Sequence, residues 1–164
     1  MDTTDFDAVY SDLLRVAESI RDTANYPVPA RDDVDWTLSH IALSDSLLAE
    51  AARDIHHGRD AVVNNRGAMN ETAITELIAS TTHQQRVAMV SDHARELRDA
   101  LDAIPDRAAE RPVLLRLFDR AGDALPEQHT AWQDLITLRI TTHIPGHTAR
   151  IRTYAATDDT RRDA

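Results

Sequence analysis

The sequence predicts an all-α chain, a four-helix bundle, on three observations. Four long segments repeat apolar residues every three or four positions, the spacing that gathers them on one helix face. No segment alternates apolar and polar residues as a half-buried strand does. Aromatic residues make up only 4% of the chain and glycines number 4, which suits aliphatic packing between helices rather than a β-sandwich. At 164 residues the chain is one domain, long enough to bury a core.

The first helix is predicted over residues 5–24, with Phe6, Val9, Leu13, Val16, Ala17 and Ile20 as its stripe. Thr4 and Asp7 resemble an acidic capping box at its start. Pro27 and Pro29 in "YPVPARDD" stop it, because proline cannot continue a helix. The second helix is expected to begin at Asp35, a good N-cap, and to run to His57 ahead of Gly58. Its main face is Leu38, Ile41, Ala42, Leu48, Ala49 and Ala52, with Leu43 and Leu47 on a flank.

A polar connection without helical period spans residues 56–70. The third helix is predicted over 70–104. Its stripe changes face midway: Ile74, Leu77, Ile78 and Ala88 lie on one side and Val87, Val90, Ala94, Leu97 and Leu101 on another, so it meets different neighbours at its two ends or bends. Residues 105–127 read as irregular, with one short helix at 113–121. Thr130 and Gln133 form a capping box for the fourth helix, over 131–156. Residues 1–156 thus form the domain, and "TDDTRRDA" (157–164) is a polar, frayed tail.

The formal net charge of −10 repels phosphate backbones and anionic lipid, so nucleic acid and membrane surfaces are not expected partners. No run approaches the roughly 20 apolar residues of a membrane span, and the acidic start "MDTTDFDAVY" has no signal-peptide character. A cytoplasmic protein is expected. All 18 basic residues are arginine, which excludes a Schiff-base lysine. Cysteine is absent, which excludes disulfides, thiolate ligands and a cysteine nucleophile. Chemistry must come from His, Asp, Glu, Arg, hydroxyls or an imported group.

The fourth helix carries "THIPGHTARI". Ile136, Ile140, Ile144, Ile151 and Tyr154 share one arc of it, and His143 and His147 fall within that arc. Eight histidines give about 0.4 pairs at this spacing by chance, so spacing alone does not assign a metal. Burial adds the argument: two imidazoles in a core need partners for their ring nitrogens, and a divalent ion held by one nitrogen of each would supply them. A third ligand must come from another helix. His40 in "DWTLSHIALSD" is the candidate, and taken alone it also reads as a hydrogen-bonded helical histidine.

Arg139 and Arg150 share a quadrant with the pair, placed either to grip a substrate carboxylate or to pair with surplus acids. Asp45, inside the apolar arc of the second helix, either orients a ligand histidine or pairs with an arginine. Pro145, between the histidines, removes a backbone donor and should kink the helix.

A tryptophan shortly before a helical histidine, followed about a hundred residues later by His-x-x-x-His in the last helix, resembles the DinB/YfiT-like metalloprotein superfamily. The resemblance covers residues 5–155 in length, helix order and histidine placement. It implies an up-down-down-up four-helix bundle, with 56–70 as the long crossover between the second and third helices. It also implies a three-histidine site at His40, His143 and His147; imidazole ligands suit zinc first, and nickel or iron would also fit three histidines. Where many members carry Gln three residues after the last histidine, this chain has Arg150.

The activity implied is transfer or isomerisation through a small thiol such as mycothiol or bacillithiol, acting on an electrophilic substrate, in a homodimer. The absence of Cys is compatible, since the thiol would bring the sulfur. The alternatives are a metal-dependent hydrolase and a non-catalytic metal- or ligand-binding stress-response protein.

Overall fold

The computed structural model describes the backbone of residues 4–162. The chain is mostly helical, as expected, and also contains a small sheet. The elements are α1 (Thr4–Ser19), α2 (Val28–His56), β1 (Ala61–Asn64), α3 (Arg66–Met69), α4 (Glu71–Ser80), α5 (His83–Asp102), β2 (Pro112–Arg116), β3 (Gln128–Ala131) and α6 (Trp132–Leu138). A π-helical turn, Arg139–His143, then leads into α7 (Ile144–Arg162).

Four long helical elements enclose the core. Helix α1 packs on α5 and α7, and α2 packs on the same two. Cross-helix bonds give their directions. The start of α5 meets the end of α1 through His83 and the Ala17 carbonyl, and its end meets the start of α1 through Arg98 and Asp7. Those two are antiparallel. Helices α2 and α5 run the same way, since Asp35 pairs with Arg86 and Arg53 with Glu96. Helix α7 opposes α2, through Arg139 with Asp45 and Arg150 with Asp33. Leu13, Leu38, Ile41, Leu97, Leu101, Ile144 and Ile151 are all at most 1% exposed between these helices. Each such side chain contributes roughly 1.5–3 kcal/mol by burial. No helix is long and apolar enough to cross a membrane among the described residues.

Several boundaries differ from expectation. Helix α2 starts at Val28, not Asp35, with Pro29 in its first turn, where no intrahelical donor is lost. Asp35 is therefore a buried helical residue rather than a cap. The predicted third helix is two, because Thr82 accepts from the Gln85 N–H and the Gln85 side chain accepts from the Thr82 N–H, a capping box that starts α5. The change of face along that segment marks this break. The last helix carries its backbone through Arg162, beyond the expected boundary at 156. The Thr4 side chain, on which the first capping box rests, lies outside those described, as do residues 163–164 of the expected tail.

The all-α expectation is corrected by the sheet. Strand β1 pairs parallel with β2, Ala61 opposite Val113, and β2 pairs antiparallel with β3, Val113 opposite Thr130. The short helix expected at 113–121 is largely strand β2. Val63, Val113 and Leu115 point into the core while Val62 and Arg116 face out. Thr130 belongs to β3, so α6 begins at Trp132 without the predicted side-chain cap.

Candidate metal centre

His40 projects from the middle of α2, one turn after Trp36. The two rings stack at a centroid distance of 4.8 Å and 14° between planes. The His40 Nδ1–H donates to the Ala68 carbonyl at 2.8 Å, which leaves the lone pair on Nε2. Ala68 lies in the short helix α3, so the link between α2 and α4 fixes the tautomer of this ring.

His143 and His147 flank Pro145. With no N–H, Pro145 cannot bond the carbonyl four residues back, and its ring crowds that carbonyl. The chain answers with a π-turn, in which the Ile144 N–H reaches the Arg139 carbonyl five residues earlier. The expected kink at Pro145 is thus an inserted residue of helical phase just before it. The two imidazoles end 4.6 Å apart, centroid to centroid, at 77°. His40 lies 5.5 Å from the ring of His143 and 5.6 Å from that of His147. One ligand atom from each of the three falls within 4.8 Å of the others.

All three rings are neutral at ordinary pH. Burial lowers the His40 pKa to about 4, with Arg139 and Arg120 adding to the effect against the Ala68 hydrogen bond. Burial, Arg139 and the other two histidines take His143 to about 3. Burial, His40, Arg139 and Arg150 take His147 to about 4, against the pull of Asp33. A neutral imidazole is the form that ligates a metal. His143 Nε2 is buried with no hydrogen-bond partner, a cost that a cation would remove. The donor set fits a borderline ion such as zinc.

The expected partners of the pair are engaged elsewhere. Arg139, 6% exposed, donates from Nε and Nη2 to Asp45 Oδ1 at 2.9 and 2.5 Å. Tyr10 donates its hydroxyl proton to the same oxygen at 2.6 Å. Burial raises the Tyr10 and Asp45 pKa values, and the carboxylate in turn holds the Arg139 guanidinium in its charged form. Of the two roles open to Asp45, the structure places it with the arginine and not on a ligand histidine. Arg139 is accordingly a buried ion-pair residue that also lines the cavity beside His143. Arg150 is half exposed, and its Nε donates to Asp33 Oδ2, which also accepts from the Tyr154 hydroxyl at 3.0 Å.

Beside the histidines lies a cavity of about 200 Å³ lined by His40, Ser44, Leu47, Leu135, Leu138 and His143, among others. Two of the three proposed ligands therefore face an apolar pocket. Tyr10, Asp33 and Arg120 escaped sequence reasoning. Asp33 stands seven residues before His40, two turns along the same helix face, but residues 26–33 read as a helix stop. Tyr10 stands in the apolar stripe of α1, where a phenol needs a polar partner. Arg120 sits in a loop and has no periodic signal.

No family model, no curated protein and no solved structure matches the chain, so what can be said of this centre comes from its own geometry.

Proposed function

We propose that the chain is a divalent-metal-dependent enzyme of the DinB/YfiT-like kind, an up-down-down-up four-helix bundle transferring or isomerising groups through a small thiol. The directions of α1, α2, α5 and α7 support that topology, with 56–70 and the helices after it carrying the crossover. One observation carries the functional reading: three neutral imidazoles from two helices converge beside an apolar cavity. A structural metal site is closed by its ligands, whereas a catalytic one keeps a position open.

His40, His143 and His147 would hold the ion. A dication with three neutral ligands supplies Lewis acidity that favours the deprotonated form of a water or thiol beside it. The chain's own residues set the conditions. The Ala68 carbonyl holds His40 in the tautomer that presents Nε2. The π-turn aims His143 and His147, and the leucines of the cavity limit water. The chain has no sulfur nucleophile of its own, so a thiol such as mycothiol or bacillithiol would bring it.

The test begins with metal analysis of protein purified without a His-tag. Consumption of mycothiol, bacillithiol and glutathione is then measured with monochlorobimane as electrophile. Metal retained at one ion per chain with thiol turnover supports the reading. Metal retained without thiol turnover favours the hydrolase or the stress-response metal binder, and no metal at all removes the centre. A cytoplasmic homodimer completes the proposal, and an 18.3 kDa particle by light scattering would end its dimeric part.

A further inference from the structure

Two guanidiniums expected at this centre are tied to Asp45 and Asp33, and a third is linked to it through the Trp36 ring. Arg120 lies over the Trp36 ring, its Cζ 4.3 Å from the centroid, and the same indole stacks on His40. Its charge reaches His40 from there. Among the described residues no carboxylate pairs with it. Asp119, its neighbour in sequence, accepts instead from the Ala121 and Asp123 N–H groups.

The loop that carries Arg120 is built rather than loose. Leu125 N–H donates to the Leu117 carbonyl at 2.8 Å, and Asp119 N–H to the Asp123 carbonyl at 3.0 Å. Gly122 makes the turn at φ +88°, a conformation that favours glycine. The Asn65 side chain clamps the stem, accepting from Phe118 N–H at 2.7 Å and donating to its carbonyl at 3.1 Å. A guanidinium over an indole is attracted by the ring, and N–H groups not directed at the ring can serve an acceptor.

We propose that Arg120, its guanidinium over the Trp36 ring, receives the carboxylate of the small molecule that binds at the histidine centre, the task expected of Arg139 and Arg150. The inference deepens the proposed function and rests on it for the location of the ligand. The ligand class is a small acid whose other end reaches the histidines. Bidentate pairing with a planar carboxylate gives direction as well as attraction. Arg120 is exposed and outside the core, so its variants retain the fold.

Two measurements decide. In metal-free protein, propionate is titrated while the Arg120 Nε–H resonance, assigned by its loss in Arg120→Gln, is followed by NMR. A saturable shift is expected with propionate and none with 1-propanol. The exposed Arg107 serves as the reference; a response no larger than that of Arg107 overturns the proposal. In zinc-loaded protein, calorimetry compares 3-mercaptopropionate with 3-mercaptopropan-1-ol. The acid is expected to bind about tenfold tighter in the parent protein. The ratio should fall to near one in Arg120→Gln and be partly kept in Arg120→Lys, with zinc content and affinity for the neutral thiol unchanged. A ratio that survives in Arg120→Gln sinks the idea. Failure of the metal reading looks different: zinc is not retained by the parent protein, and the propionate titration then decides alone.

Discussion

Helix α2 carries two buried polar clusters within five residues of each other, and they are built on opposite principles. At Asp35, opposite charges meet: Arg86 Nη2 donates to its carboxylate at 2.6 Å, Thr23 adds a hydroxyl at 2.9 Å, and Arg86 Nη1 reaches the Thr81 carbonyl at 2.6 Å. At His40, like meets like: three imidazoles lie together, neutral, with a buried ring nitrogen of His143 lacking any partner. The two α2 residues are comparably buried, Asp35 4% exposed and His40 6%, while His143 and His147 are partly exposed. The difference teaches that a buried polar group by itself does not mark a site. Three neutral imidazoles whose ligand atoms converge are a different case, a group that could hold a cation.

The sharpest way to break the comparison is to remove one partner from the neutralised cluster. Asp35→Ala leaves the Arg86 guanidinium buried without its counter-charge and should cost about 3–5 kcal/mol of folding stability, read by urea denaturation. Metal content of the remaining folded fraction should not change. If it falls with stability, the two clusters are one cooperative unit.

His143→Ala is the converse experiment. It should weaken zinc binding by on the order of 100-fold or more, since even outer partners of such ligands are worth 10–100-fold. Metal-free stability should move far less than in Asp35→Ala. Calorimetric zinc titration and thermal unfolding separate the two effects.

Acid should reveal the same contrast. The three rings titrate at about 4, 3 and 4 in the folded chain against 6.5 when unperturbed. Between those values the unfolded chain binds more protons, so stability rises with pH there. The metal-free protein should therefore lose stability as pH falls from 6.5 toward 4. His143→Ala should reduce that slope by about one proton, and an unchanged slope would mean the ring is not buried neutral. The smallest effect is expected from Arg150→Ala. Its partly exposed pair with Asp33 is worth roughly 1 kcal/mol or less, and zinc content should stay intact.

The sequence made the helices legible where period and length coincide, as in α1 and in the second half of α2. The strands were not, because "AVVN" and "PVLLR" place apolar residues consecutively and hide the alternation that burial reveals. The start of α2 was hidden by two prolines that are tolerated in a first turn, and with it Asp33. The histidine triad could be named from helix phase and resemblance, and its rings do converge. The fate of Arg139 could not, since its partner Asp45 lies 94 residues away in the chain. Only the packing of α2 against the turn before α7 brings the two charges together.

The π-turn has a consequence for how this segment tolerates change in length. A π-turn is an α-helix with one residue added, so residues before and after it are out of step by about 100° relative to an unbroken helix. Trp132 and Ile136 reach the core from one side of that step, and Ile144 and Ile151 from the other. Deleting a single residue between 139 and 143 would restore an unbroken helix, yet rotate one half against the other. A chain that kept the histidines in place would then swing Trp132 out of the interior. The interval between the core anchors of α6 and the histidines is a count of residues that this protein cannot shorten by one.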